Sequence, residues 1–179
     1  MNPAPNLVFV GPMGAGKTSI GKRVAERLGL RFVDADQRLE ELTGASVALI
    51  FECEGETGFR ARERALIAEL CAGENQLIAT GGGAILDPDN RRLLRERGFV
   101  VHLHASVPQQ LQRLDRDRTR PLLQTPDRET RLRAMAEQRG PLYAEIADLR
   151  FESDGLAVGV AAERLLAQLA ERWQRPQAA

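Results

Sequence analysis

Residues 7–19 read LVFVGPMGAGKTS: an apolar run, a glycine-rich turn, and then Lys17, Thr18 and Ser19 at the start of a helical pattern. A buried strand, a tight loop and a helix are therefore expected in that order. Glycines let the backbone curl until successive N–H groups and the positive end of the helix dipole converge on one point. This combination predicts a phosphate-binding P-loop over residues 11–19, and hence a nucleotide site.

The side chains of the predicted loop suit the parts of a nucleoside triphosphate. Lys17 is placed to reach the β- and γ-phosphate oxygens, and the Thr18 hydroxyl to bind Mg²⁺. The alternative is an unrelated lysine after a glycine-rich turn, but average composition gives the pattern by chance in well under about one per cent of such chains. The candidate nucleotide-binding residues of the loop are Gly14, Ala15, Gly16, Lys17, Thr18 and Ser19.

Length and charge narrow the range of functions. The chain has 179 residues, 43% of them hydrophobic, so one buried core and a single domain over residues 1–179 are expected. Its 25 basic and 25 acidic residues cancel, which leaves no overall field to attract nucleic acid or an anionic membrane. The expected partner is a small anion, with no nucleic acid and no membrane.

Localisation and assembly are predicted from what the sequence lacks. No export signal and no apolar run of about 18 residues is visible. Cys53 and Cys71 have no zinc-site spacing, so reduced thiols and a cytoplasmic protein are expected. A monomer is expected because no long coiled-coil pattern is present.

Strand-like apolar runs recur along the chain, with helical patterns in most of the intervals. This alternation is typical of an α/β sandwich built on a mainly parallel sheet. The predicted strands are residues 7–10, 31–33, 76–79, 99–103 and 149–151. Because parallel sheets bind ligands at the carboxyl ends of their strands, the residues that follow these runs are the candidate site.

Two carboxylates, Asp34 and Asp36, follow the second predicted strand. One can hold a magnesium-bound water, and the other can accept or orient the proton of an attacking hydroxyl. The alternative for either residue is to cap the helix that begins near Gln37.

Three consecutive glycines, residues 81–83, follow the third predicted strand, where a motor ATPase or GTPase would carry an acidic residue. Three glycines in a row cost conformational entropy, so the predicted gain is a close approach of the backbone to a ligand, with N–H groups as donors. A flexible surface turn is the alternative.

Two arginines are candidates for binding a carboxylate. A helix is expected over residues 56–72, with Arg60 in its first turns and Glu63 one turn later, and Arg139 is expected at a helix end before Pro141. Either guanidinium could donate two parallel hydrogen bonds to a carboxylate, and a surface ion pair is the alternative.

The polar stretch from about residue 113 to 127 contains two prolines and predicts a long loop. Such loops are commonly functional lids or disordered, and a phosphotransferase needs a lid to keep water from the phosphoryl group. A nucleic-acid patch is disfavoured because the charges alternate in sign and no aromatic residue is nearby. The arginines of this stretch are Arg113, Arg116, Arg118 and Arg120.

Together these features resemble shikimate kinase, over nearly the whole chain from residue 7 to about 151. The motifs that carry the resemblance are GPMGAGKTSIG (11–21), FVDAD (32–36), FRARE (59–63), GGG (81–83), RPLL (120–123) and RGPLY (139–143). The resemblance implies a nucleoside-monophosphate-kinase type of fold, a three-layer α/β/α arrangement with a five-stranded parallel sheet. It also implies a substrate-binding region at about 34–62 and a lid at about 113–127.

The implied reaction moves the γ-phosphoryl of ATP to the 3-hydroxyl of shikimate, a step toward chorismate and the aromatic amino acids. By the resemblance, Lys17 and the P-loop amides hold the phosphates, Thr18 ligates Mg²⁺, and Asp34 supports the metal through water. Asp36 binds the shikimate hydroxyls and orients or deprotonates the nucleophile.

The remaining implied contacts come from arginines and glycines. Arg60 and Arg139 clamp the shikimate carboxylate, beside the backbone of Gly81, Gly82 and Gly83. Arg120 closes with the lid onto the transferring phosphate, and Arg113 lies against adenine.

Two other functions compete with this one. Gluconate kinase shares the fold and the P-loop, but the pairing of Arg60 with the triple glycine and Arg139 favours shikimate. A nucleotide-dependent switch or a non-catalytic binding module is disfavoured, because a guanine-specific NKxD motif is absent and Asp36 has no evident use there.

Overall fold

A five-stranded parallel sheet forms the centre of the molecule, as seen in a computed structural model that describes residues 3–115 and 126–175. Its order is β2-β3-β1-β4-β5, and every neighbouring pair is parallel. The strands are β1 (Asn6–Val10), β2 (Arg31–Asp34), β3 (Gln76–Ala79), β4 (Gly98–His104) and β5 (Leu149–Glu152). All five predicted strands are present, extended by one or two residues where they differ.

Helices connect the strands and cover both faces of the sheet. They are α1 (Lys17–Leu28), α2 (Ala35–Thr43), α3 (Val47–Ala72), α4 (Pro88–Arg97), α5 (Val107–Leu114), α6 (Arg128–Ile146) and α7 (Val158–Arg172). A short 3-10 turn, Ala84–Leu86, follows the triple glycine. No helix in the described part of the chain is both long and apolar enough to cross a membrane.

The central strand β1 is buried along its whole length, and its side chains alternate between two cores. Leu7 and Phe9 pack with residues of α1 and α7, whereas Val8 and Val10 pack with residues of α3, α4 and α6. A strand buried on both faces lies between two helical layers. The three-layer α/β/α fold with a parallel sheet is therefore confirmed.

The P-loop leaves the sheet at its middle strand, between β3 and β4. Gly11 has a φ of 147°, and a β-carbon there would overlap the carbonyl oxygen of Leu103 on β4. The first glycine of the loop is therefore required by the neighbouring strand, which lets the chain turn at the carboxyl edge of the sheet.

Two helix boundaries differ from the sequence prediction. The helix expected from residue 56 begins at Val47 and passes through Gly55, whose φ of 69° marks a kink between two helical halves. Arg139 was expected at a helix end, but α6 continues through Pro141 to Ile146. Proline removes one helical hydrogen bond, and the burial of Tyr143 and Ile146 beyond it outweighs that loss.

Candidate active site

A cavity of about 400 Å³ opens at the carboxyl edge of the sheet and contains most of the predicted nucleotide residues. It runs from the P-loop to the first two glycines of the triple glycine. Its polar and loop residues are Gly14, Gly16, Lys17, Thr18, Ser19, Asp34, Asp36, Thr80, Gly81, Gly82 and Arg113. Ala15, also a predicted contact, is a fully buried residue of the loop itself.

The P-loop presents the first turn of α1 to this cavity. Gly16 is the N-cap residue with a φ of 94°, and it has no side chain to occupy the amides that follow. The Nζ of Lys17 donates to the carbonyl oxygens of Gly11 and Pro12, at 2.7 and 2.8 Å. The ammonium group therefore lies against the loop, where a phosphate chain would be bound.

Thr18 and Asp34 form a pair of oxygen donors beside the loop. The Thr18 hydroxyl donates to Oδ2 of Asp34 at 2.6 Å, and Oδ1 of Asp34 accepts from the amide of Gln37 at 3.1 Å. Asp34 thus caps α2, as the alternative interpretation proposed, and also faces the P-loop. Both functions are possible because the two carboxylate oxygens point to different partners.

A second cavity of about 80 Å³ adjoins the first. Both cavities are lined by Asp36, Gly81 and Gly82. The other lining residues of the second cavity are Met13, Val47, Phe51, Phe59, Arg60, Glu63 and Gly83. Asp36 therefore lies where a phosphate site and a smaller, partly aromatic site meet.

Arg60 and Glu63 form the charged wall of the second cavity. Nη1 of Arg60 lies 2.8 Å from Oε1 of Glu63, whose side chain is almost fully buried. A β-carbon on Gly83 would overlap the Arg60 guanidinium. Gly83 thus leaves space for the Arg60 guanidinium. The sequence analysis expected the glycines to allow the close approach of a ligand, whereas the group that approaches Gly83 is a side chain of the protein itself.

The ionisation of Glu63 is shifted by its surroundings. Burial raises the pKa of the Glu63 carboxyl to about 7, although the facing Arg60 acts in the opposite sense and Asp36 adds to the rise. The sequence treated Glu63 only as an ion-pair partner for Arg60. Its position one turn after Arg60 on a mostly apolar helix face was the available signal.

Arg139 approaches the triple glycine from the other side. It is 6% exposed, and no carboxylate of the described residues lies within 4.0 Å of its guanidinium. A β-carbon on Gly82 would lie 3.5 Å from Nη1 of Arg139. Arg139 lines neither cavity above but a third one of about 60 Å³, together with His102 and Tyr143. A buried cation without a carboxylate partner is a candidate for binding an anion.

Arg113 joins the P-loop to the end of β5. Its guanidinium donates to the carbonyl oxygen of Gly14 at 2.8 Å and to the Ser153 hydroxyl and carbonyl oxygens at 3.0 and 2.6 Å. Leu156 and Val158 line the same end of the large cavity. The hydroxyl and the carbonyl oxygen of Ser153 therefore hold this arginine in place.

One predicted contact cannot be placed in this arrangement. Arg120, with Arg116 and Arg118, lies outside the described residues, as does most of the expected lid.

A P-loop after the central strand, an acidic pair at the end of β2 and the start of α2, and a glycine loop after β3 converge at one edge of a parallel sheet. These features define a P-loop kinase that binds a small acceptor molecule beside the phosphate chain. The family model described as shikimate kinase matches residues 13–170, and the chain belongs to this family.

Close relatives cover nearly the whole chain. A shikimate kinase of Stenotrophomonas maltophilia (strain R551-3) is 56% identical and covers 98% of this chain and 97% of its own length. One from Xanthomonas campestris pv. campestris (strain 8004) is 58% identical, with 97% of each chain covered. The solved structure of shikimate kinase from Acinetobacter baumannii in complex with shikimate has a TM-score of 0.89 and 45% identity. It covers 94% of this chain and 95% of its own.

Proposed function

We propose that this chain transfers the γ-phosphoryl group of ATP to the 3-hydroxyl of shikimate, giving shikimate 3-phosphate and ADP. The observation that carries the proposal is the position of Asp36, which lines both the phosphate cavity and the smaller cavity walled by Arg60. A hydroxyl bound in the smaller cavity and a phosphate bound in the larger one would meet at this carboxylate.

The P-loop serves the phosphate end of the reaction. Its amides and Lys17 bind the phosphates and balance the negative charge that spreads over the transferring group. Arg113, fixed by Gly14 and Ser153, contributes one wall of the adenine site, with Leu156 and Val158 nearby. Arg120 is proposed as the lid contact to the transferring phosphate, by the family resemblance alone.

The Thr18 hydroxyl and Asp34 fit a magnesium ion. They supply hard oxygen donors 2.6 Å apart, and the described residues contain no group of three or more His, Cys, Asp or Glu side chains suited to a metal. Mg²⁺ suits such a sparse site because it keeps several waters and binds phosphate oxygens. The ion would neutralise phosphate charge, with Thr18 as a direct ligand and Asp34 acting through water.

Asp36 acts on the acceptor hydroxyl. Its carboxylate accepts the hydroxyl proton or orients that hydroxyl for in-line attack. Arg60 and Arg139 bind the carboxylate of the acceptor from two sides of the triple glycine. A polyol without a carboxylate would leave these partly buried cations without an anion, at a cost of about several kcal/mol.

Domain organisation, localisation and assembly are proposed from the sequence and from its two cysteines. We propose a single domain from the chain length and a cytoplasmic protein from the two free cysteines. The balanced charge disfavours nucleic acid as a partner, and the sequence contains no long coiled-coil pattern, which favours a monomer.

An assay of ADP release tests the proposed function directly. Shikimate, gluconate and nucleoside monophosphates are each offered with ATP and Mg²⁺, and only shikimate is expected to support turnover. Turnover with gluconate alone would show that the acceptor is gluconate and not shikimate. ATP binding without turnover on any of the acceptors would favour a non-catalytic binding module.

Replacing Arg60 with alanine is expected to raise KM for shikimate about 10- to 100-fold, because a charged hydrogen-bond donor is lost. KM for ATP should change less than about twofold, since Arg60 does not line the nucleotide cavity. The matched control is Arg62→Ala on the same helix, whose guanidinium pairs with Glu54 at the surface. If Arg60→Ala raised KM for shikimate and KM for ATP equally, Arg60 would act only as a structural partner of Glu63.

Shikimate binding should weaken as the pH rises through 7. The pKa of the Glu63 carboxyl, raised by burial to about 7, would rise further beside a bound anion. Binding then takes up a proton above that pH, so KM for shikimate should increase by several-fold, at most about tenfold per pH unit.

Steady-state kinetics between about pH 6 and about pH 8.5 measure this dependence in the wild type and in two variants. Glu63→Gln should flatten the profile. Glu56→Gln, which removes the exposed carboxylate 3.4 Å from Arg60, should leave it unchanged. A Glu63→Gln enzyme with the wild-type profile would exclude this carboxyl as its origin.

A further inference from the structure

Tyr143 connects α6 directly to the triple glycine. Its hydroxyl donates a hydrogen bond to the carbonyl oxygen of Gly82 at 2.5 Å, and its side chain is almost fully buried. Tyr143 follows Arg139 by one turn of α6, so both side chains reach the same loop. It is also the single tyrosine of the chain.

The hydrogen bond fixes the orientation of one peptide unit. The carbonyl of Gly82 and the N–H of Gly83 belong to the same planar trans peptide, so they point in opposite directions. Holding the carbonyl toward α6 therefore turns the Gly83 N–H away from that helix. Among residues 3–115 and 126–175, the amides of Gly82 and Gly83 donate no hydrogen bond.

Glycine needs such an external constraint more than any other residue, because its backbone has the widest range of conformations. Within this loop, Ala84 bonds back to Gly81, which leaves the peptide between Gly82 and Gly83 to be held by Tyr143. Without the phenol hydroxyl, this peptide unit would lose its one side-chain anchor among the described residues.

The ring of Tyr143 also packs against a second aromatic ring. The ring of His102 lies 5.0 Å from that of Tyr143, centroid to centroid, at an interplanar angle of 33°. Burial lowers the pKa of His102 to about 4 and raises that of Tyr143 to about 12. Both groups are therefore neutral near pH 7, and the phenol stays a hydrogen-bond donor.

We propose that Tyr143 is a positioning residue for the acceptor substrate. Its hydrogen bond fixes the orientation of the peptide joining Gly82 and Gly83, so that the loop amides and Arg139 keep one fixed geometry relative to the acceptor. This inference rests on the proposed function, since it assumes that the acceptor lies against the triple glycine. No contact between Tyr143 and the acceptor is required.

Tyr143→Phe removes only the hydroxyl and tests the role by kinetics. KM for shikimate is expected to rise about three- to tenfold, the value of one hydrogen bond, while KM for ATP changes less than about twofold. Trp173→Phe is the matched control, because it deletes a buried indole N–H that donates to the Ala4 carbonyl oxygen at 3.0 Å, away from both cavities. It should change neither KM.

Fluorine NMR of the wild-type protein gives a second measurement that needs no substitution. With 3-fluorotyrosine incorporated, every fluorine signal comes from Tyr143, and the spectrum should shift on addition of shikimate and remain unchanged with ADP. With 5-fluorotryptophan, the single tryptophan should not respond to shikimate.

The outcomes separate this inference from the proposed function. A wild-type enzyme that does not phosphorylate shikimate overturns the proposed function. If the wild type is active but Tyr143→Phe keeps the wild-type KM for shikimate, only the positioning role is overturned. The same holds if the fluorotyrosine signal of an active wild type does not shift with shikimate.

Discussion

Asp36→Asn is expected to lower kcat by about 10²- to 10⁴-fold, the usual contribution of a carboxylate that handles the proton of an attacking hydroxyl. Asparagine keeps the shape and can still donate a hydrogen bond, but it cannot accept a proton or carry the charge that orients the hydroxyl. Among the described residues, Asp36 is the one ionisable side chain that lines both cavities.

Nucleotide binding should survive this change. Lys17, Thr18 and the loop amides provide the phosphate contacts proposed above, so titration with a fluorescent ATP analogue should give an affinity within about twofold of the wild type. Asp89→Asn, in the exposed first turn of α4, is the matched control and should retain full activity. An Asp36→Asn enzyme with near wild-type kcat would remove Asp36 from the mechanism.

The sequence predicted the sheet well because its strands are marked by local signals. The apolar runs at β1 and β4 stand between polar and glycine-rich segments, and a strand buried on both faces requires such a run. The P-loop was predicted for the same reason: its glycines, Lys17 and Thr18 are adjacent in sequence.

Features that depend on tertiary contacts were predicted less well. The kink at Gly55 interrupts the helical period, so the first half of α3 was not recognised. Pro141 suggested a helix end, although α6 continues because Tyr143 and Ile146 are buried against the sheet. The local sequence pattern does not report the free energy that these tertiary contacts contribute.

On the substrate side of the site, too, the sequence did not predict properties that depend on tertiary contacts. Burial makes Glu63 a group that titrates near pH 7, and that burial comes from the packing of α3 beside α2 and the triple glycine. The link from Tyr143 to Gly82 spans 61 residues of sequence. A single sequence can name such residues as parts of a motif, but it does not reveal which atoms they contact.

Lys17→Met is expected to impair both nucleotide affinity and the chemical step. Methionine keeps most of the side-chain volume but removes the ammonium group, which lies 2.7 and 2.8 Å from the Gly11 and Pro12 carbonyl oxygens at the phosphate site. Loss of this charge should weaken ATP binding about tenfold and lower kcat by about 10²- to 10³-fold, because it acts on charge that grows in the transition state.

Calorimetric titration with ATP and Mg²⁺ measures the affinity of the Lys17→Met protein, and ADP release under saturating substrates measures kcat. Lys22→Met is the matched control on the same helix, since its ammonium group lies at the surface, 6.0 Å from the Phe32 ring. Thermal unfolding should give similar midpoints for both variants, so a loss confined to Lys17→Met reports on phosphate binding. If the two variants were equally active, the charge of Lys17 would have no part in the transfer, and the loop amides with Mg²⁺ would have to carry it.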